Sequence, residues 1–294
     1  TSERLITAMK LGVHYIDFLP GAPEQLALTL AATAKAAEEG GVDMFTLADH
    51  FFQMETFGPA DNPFLEGYTS MGYLAALTER ITLTMMVTGV TYRYPGVLAK
   101  TMTTLDVLSG GRSMFGIGAA WYDREHHALG IPYPPLSDRF EMLEETLQIC
   151  QQMWSDDDGP YEGTHYQLAE TICQPQPIRR PPILIGGSGE KKTLRMVAQY
   201  ADVWNASSTL EELPHKLDVL RRHCDSVGRD FSDIRLTVGY FDDPFADIDG
   251  YLRTLDQYAA LGIDTINTGP WPGTSDPAGW VKRLGDEVIP RLSS

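Results

Sequence analysis

The sequence predicts an α/β protein built as a closed (β/α)8 TIM barrel, on three observations. Short apolar strand-like runs alternate with amphipathic helix-like runs, eight times along the chain. The strand-like runs end in polar or glycine-rich residues, as barrel strands do where they carry a site. No GxGxxG follows the first strand, as an open doubly wound sheet binding a dinucleotide would require. At 294 residues the chain is expected to form one barrel domain over 1–294.

Residues 11–16 read as the first strand. Residues 24–39 read as a helix, with Leu26, Leu30, Ala34 and Ala37 on one stripe, stopped by Gly40 and Gly41. Strand two is 44–48, then a helix at 67–78 and strand three at 81–88. Pro95 opens the next helix at a position where its missing N–H costs nothing. Leu98, Met102, Leu105 and Leu108 line that helix, and Ser109-Gly110-Gly111 ends it before strand four at 113–117. Phe140, Leu143, Leu147, Cys150 and Trp154 mark the following helix. Strands five to eight fall at 182–185, 202–205, 234–240 and 263–268; their helices fall at 190–200, 210–227, 248–261 and 277–288. Two insertions interrupt the rhythm. Residues 51–66, rich in Phe, Met and Pro, read as a lid; residues 155–181 read as a hairpin.

Composition narrows the function. A net charge of −17 argues against nucleic acid, whose phosphates need a basic face. It leaves room for an anionic cofactor held by a few local cations and backbone N–H groups. No apolar run approaches the roughly 20 residues of a membrane helix. The start shows no signal-peptide pattern, so a cytoplasmic location is expected. Cys150, Cys173 and Cys224 have no spacing suited to a disulfide framework or a zinc site, and no metal is expected.

In such a barrel the site lies at the C-terminal strand ends. Asp49 and His50 directly follow strand two, and His50 could hydrogen-bond a ring carbonyl or donate a proton. Gly186, Gly187, Ser188 and Gly189 let backbone approach a ligand, and Lys191 and Lys192 add positive charge where a helix would favour an acid, which points to a phosphate. Met86, Val87, Thr88 and Gly89 close strand three. Gly118, Ala119 and Ala120 leave room for a flat ring, bordered by Trp121 or Tyr122. The substrate side is expected to come from His14, the lid with Phe51, Trp121, Trp204, Tyr240 and Trp271. His126 and His127 read as an exposed turn or helix, and Asp123, Glu125 and these histidines lack metal-ligand spacing.

Together the blocks LGVHYIDF, TLADHFFQM, VTGVTYRYPGVLAKTMTTLDVLSGGR, FGIGAAWYDREHHALGIPYPPLSDRFEMLEE and PPILIGGSGEKKTLRMVAQYADVWN resemble the luciferase-like superfamily, in its branch dependent on coenzyme F420, a deazaflavin. Beyond Asn205 the likeness is only architectural. The resemblance implies a cofactor ring in the barrel mouth, backed by a cis peptide at Met86–Val87 and flanked by Asp49 and His50. It places Thr88, Gly89, Gly118 and the 186–189 turn around ring, ribityl chain and phosphate. It also implies a homodimer. The family's sugar-phosphate dehydrogenases carry a glutamate after the strand-four glycine, where this chain has Ala119. The expected activity is therefore hydride transfer between F420 and a small organic substrate, reducing a C=C, C=N or C=O bond. An FMN-dependent monooxygenase is the alternative, and an F420 binder without turnover a second one.

Overall fold

Eight parallel staves close on themselves in the computed structural model, which describes residues 9–18 and 21–292. In chain order the strands are β1 (Lys10–Tyr15), β2 (Met44–Leu47), β3 (Thr82–Met85), β4 (Thr88–Gly89) and β5 (Ser113–Gly118). Next come β6 (Tyr161–Glu162) and β7 (Gln167–Leu168), an antiparallel hairpin apart from the barrel. The last staves are β8 (Ile183–Gly186), β9 (Val203–Ala206), β10 (Arg235–Gly239) and β11 (Thr265–Thr268). Strand order runs β3-β2-β1-β11-β10-β9-β8-β5, and β3 pairs with β5 through Leu83↔Ser113 and Thr84↔Met114 to close the ring. The short β4 continues β3 and pairs with β5 at Thr88↔Ile117 and Gly89↔Gly118.

The helices surround this ring: α1 (Pro23–Glu39), α2 (Gly67–Ala75), α3 (Pro95–Leu108), α4 (Asp123–Leu129), α5 (Leu136–Met153), α6 (Thr193–Tyr200), α7 (Leu213–Val227), α8 (Ile248–Ala260) and α9 (Pro277–Arg283). The main core lies between staves and helices. Leu11, Val13, Phe45, Leu47, Phe115, Ile117, Ile183, Ile185 and Trp204 face it, packed against Leu30, Leu98, Leu147 and Leu220. Alternate residues face inward, because successive side chains on a strand point to opposite faces. Met114, Leu184 and Val203 form a small interior cluster of their own, with Val87 packed on it. That interior plug fills the barrel and leaves its upper end for a site.

Three elements differ from the sequence expectation. The third strand, expected at 81–88, is interrupted at Met86–Val87, whose peptide bond is cis. The helix expected from Glu190 begins at Thr193: residues 190–192 form a turn, and the Leu194 N–H reaches back to the Gly189 carbonyl at 3.0 Å. The helix expected from 210 begins at Leu213, where Pro214 occupies its first turn. The insertion at 155–181 does contain the hairpin. Glu145 on α5 holds it by accepting from the backbone N–H groups of Thr164 and Tyr166 at 2.7 and 2.9 Å. The 51–66 segment packs through Met54, Phe52, Phe57 and Phe64 against Ile16, Ala48 and Tyr122. No helix among the described residues is long and apolar enough to cross a membrane.

Candidate functional site

The C-terminal strand ends enclose a cavity of about 700 Å³. Its floor is made where β4, β5 and β8 meet. A Cβ at Gly118 would lie 3.0 Å from Val87 Cγ2, and one at Gly186 would lie 3.1 Å from Val87 Cγ1. Both staves therefore give up a side chain where Val87 sits, and the surface above stays low. Met86, Thr88, Gly89, Ala119, Ala120 and Gly187 extend this side-chain-poor surface. Ala120 adopts φ 61°, a left-handed conformation costing a non-glycine residue about 1–2 kcal/mol. The buried Arg139 guanidinium braces it by donating to the carbonyls of Ala119 and Ala120 at 3.0 and 2.5 Å.

His50 faces the cavity from the end of β2, on a frame of hydrogen bonds. Its Nδ1–H donates to Glu125 Oε1 at 2.6 Å. Glu125 Oε2 accepts from the Phe51 N–H at 2.8 Å, and Tyr92 donates its hydroxyl to Oε1. Burial would push the Glu125 carboxyl up, but these bonds, led by the one from His50, hold it below the usual carboxylate range. An ionised carboxylate on Nδ1 sets the imidazole tautomer and orientation. By elimination, Nε2 is the ring nitrogen available to a bound molecule. Gly89 makes the frame possible: a Cβ there would meet the Tyr92 ring at 2.5 Å.

Asp49 lines the same cavity, but its carboxylate is bound by both arms of Arg93, at 2.7 and 3.0 Å. Arg93 also pairs with Glu66, the residue capping α2, and lies over the Tyr68 ring at 4.6 Å. Burial pushes the Asp49 carboxyl above the usual carboxylate range against the opposing pull of Arg93, and the same contact pushes the guanidinium up. His14 occupies the barrel mouth beside Thr46, with Nδ1 2.7 Å from Oγ1. Burial, aided by His50, lowers its pKa to about 4 and keeps it neutral at neutral pH.

A second, more open cavity of about 570 Å³ adjoins the first, sharing Leu136 and Phe140. Ser188, Gly189, Lys191, Lys192 and Lys216 line it. The glycine turn thus spans two chambers, with Gly186 and Gly187 in the first and Ser188 and Gly189 in the second. Lys216 is bound to Glu190 at 2.6 Å.

Several expected residues sit elsewhere. Trp204 is fully buried on the outer face of β9, and its indole N–H donates to the Gly187 carbonyl at 2.7 Å. It braces the glycine turn, while its neighbour Asn205 faces the cavity. Tyr240 stacks on Tyr251 at 5.1 Å, outside the barrel mouth, and Phe241 takes the place expected for it. Phe51 packs edge-on against Tyr92, with Met54 and Phe57 entering the cavity from its loop. Tyr122 is buried beneath Trp121, donating to the Gln53 carbonyl at 3.2 Å; Trp121 lies on the cavity wall. Trp271 lines the mouth.

The exposed turn or helix expected at 126–127 holds for His127 and is corrected at His126. Glu125 and His126 are fully buried. His126 donates from Nδ1 to the Tyr122 carbonyl and accepts from the Thr91 hydroxyl, both at 2.6 Å. No periodicity pointed to Glu125, since its partner His50 is 75 positions away. Tyr92 and Arg93, on the β4–α3 loop, were missed for the same reason. Among the described residues no group of three His, Cys, Asp or Glu side chains is arranged to hold a metal ion.

Comparison with known proteins agrees with this architecture. The F420-dependent glucose-6-phosphate dehydrogenase of Microbacterium testaceum is 35% identical over 174 residues, 58% of this chain and 50% of that enzyme. This chain therefore spans about half the length of that relative. An uncharacterized protein of Mycobacterium bovis is 28% identical over 276 residues, 89% of this chain and 94% of that one. The structure of an F420-dependent secondary alcohol dehydrogenase in complex with an F420–acetone adduct matches with a TM-score of 0.82 at 16% identity, over 98% of this chain and 100% of that one. At that identity the likeness speaks for the fold alone. The family model described as luciferase-like monooxygenase matches residues 17–241, which take in Val87, the His50–Glu125 pair and both cavities' glycine turn, and the chain belongs to that family.

Proposed function

We propose that this protein is an oxidoreductase that transfers a hydride between coenzyme F420 and a small organic substrate. One observation carries the reading: a low-relief chamber adjoins a chamber lined by three lysines, through shared walls at Leu136 and Phe140. A cofactor with a flat ring and an anionic tail fits that pair. Val87, Gly118 and Gly186 would lie under the ring, while Ser188, Gly189, Lys191, Lys192 and Lys216 would hold phosphate and tail. Relatives named for F420 dependence support the choice of deazaflavin over FMN. When bound, the deazaflavin supplies or accepts a hydride.

The chain's own residues do the rest. His50 presents Nε2 to a substrate oxygen; in its doubly protonated form, with Nδ1–H held on Glu125, the Nε2–H is the hydrogen-bond donor and proton source. The 51–66 segment shields the mouth with Met54 and Phe57. A cytoplasmic homodimer is part of the same proposal, supported by the exposed apolar side chains of Tyr94, Val97 and Leu108 along α3. Sedimentation velocity tests the dimer.

Fluorescence titration with F420 and FMN tests the cofactor. Saturable F420 binding that weakens with added salt is expected, because exposed lysine contacts are screened. Binding of FMN with none of F420 would overturn the proposal in favour of a flavin monooxygenase.

A further inference from the structure

We propose that the main cavity takes an uncharged, phosphate-free carbonyl compound or activated alkene with an apolar skeleton. This rests on the hydride-transfer reading of the same cavity and names its substrate class. The argument is a census of charge. Among the described residues lining the main cavity there is no lysine and no arginine. The cations nearby are already committed. Arg93 is bound to Asp49 and Glu66. Arg139 is bound to the carbonyls of Pro134, Ala119 and Ala120. Arg124, on the outer side of α4, is paired with Glu55. His14 is neutral and engaged with Thr46.

The lysines are confined to the side chamber. His50 is paired with the Glu125 carboxylate at 2.6 Å, so a phosphate or carboxylate entering the main cavity would lose its hydration and meet no unpaired counter-charge, which is costly. It would also lie beside the Asp49 carboxyl, which already occupies Arg93. The 51–66 segment and the ends of β1, β10 and β11 instead supply Met54, Phe57, Ile16, Phe241 and Trp271. These bury apolar surface. Asn205, Ser207 and Ser208 add uncharged polar groups to the lining, and His50 Nε2 is the handle there suited to give a substrate oxygen a proton. Reduction there would break the C=O π bond and form one C–H bond from a hydride. It would form one O–H bond as the Nε2–H bond of the doubly protonated His50 ring breaks, leaving the neutral ring with Nδ1–H on Glu125, and the deazaflavin hydride donor would be oxidised by two electrons.

A matched pair of ligands isolates charge: methyl 4-acetylbenzoate and 4-acetylbenzoate. Calorimetry on the full chain without cofactor measures binding of each, and oxidation of reduced F420 measures turnover. The ester is expected to bind at least about tenfold more tightly than the acid, and glucose 6-phosphate is expected not to reduce oxidised F420. Phe241→Lys, which puts a cation in the cavity, is expected to narrow the preference by about tenfold. Equal or tighter binding of the acid, no binding of the ester, an unchanged ratio in Phe241→Lys, or turnover of glucose 6-phosphate would each overturn the proposal. Preference for the ester with no F420 binding would instead sink the cofactor reading and the reduction step with it, leaving the cavity's selection of uncharged ligands standing.

Discussion

Glu125 decides what His50 can do. A histidine at a strand end is visible in the sequence; the carboxylate that sets its tautomer is on a helix far along the chain. Glu125→Gln keeps the shape but removes the charge, and its amide can present a donor to Nδ1. Turnover is expected to fall by about 10–100-fold, with KM little changed and the basic limb of the pH–rate profile displaced to lower pH, because the protonated ring loses its carboxylate partner. His50→Asn, which loses the proton, should cost about 10²–10⁴-fold. Steady-state kinetics across pH checks both. A Glu125→Gln enzyme with wild-type kcat at every pH would remove Glu125 from the mechanism. The same scale explains Ala119. Where related sugar-phosphate dehydrogenases are expected to have an acid, this chain has a methyl group on the cavity wall, so His50 is the proton carrier left in reach.

At the scale of elements, the glycine turn after β8 is the part most dependent on its neighbours. The sequence reading placed Lys191 and Lys192 in the first turn of a helix. The structure puts them in the turn before it, beside Lys216 from α7. Trp204 holds the near end of this turn through the Gly187 carbonyl, where φ is 109°. Trp204→Phe is expected to destabilise the fold by about 1 kcal/mol for the lost hydrogen bond and to weaken F420 binding. Chemical denaturation and fluorescence titration measure the two effects, and unchanged cofactor affinity would refute the bracing role. Lys216→Ala removes a cation already bound to Glu190. Its effect on cofactor affinity should be only a few-fold and should fade at high salt.

Across the whole molecule, burial of charge and of neutral imidazole ties stability to pH. His14 takes up a proton near 6.5 in the unfolded chain and only near 4 in the folded one. Between those values the unfolded state binds more protons, so stability falls as pH falls. The loss from this group amounts to about 3 kcal/mol by pH 4. The lowered carboxyls of Glu125 and Glu66 add a further loss as pH drops through their folded values. Thermal unfolding between pH 7 and 4 should show a falling Tm, with a shallower slope in His14→Gln. An equal slope in the variant would show that His14 is not the group responsible.

The sequence by itself determined the barrel, because strand and helix periods are local and repeat eight times. It also marked Asp49, His50, Val87, Gly118 and the glycine turn, since strand ends in a barrel lead to one face. Which neighbouring side chain faces that end was less legible. Trp204 and Tyr240 were each misplaced by one position, and the period of two then sent them to the outer face in place of Asn205 and Phe241. Only the tertiary structure decided the long-range pairs: Glu125 with His50, Arg93 with Asp49, Arg139 with the carbonyls beside Ala120. Charge recognition across 19 to 75 positions leaves no period in a sequence. It appears only when the closed ring brings separate loops over one cavity.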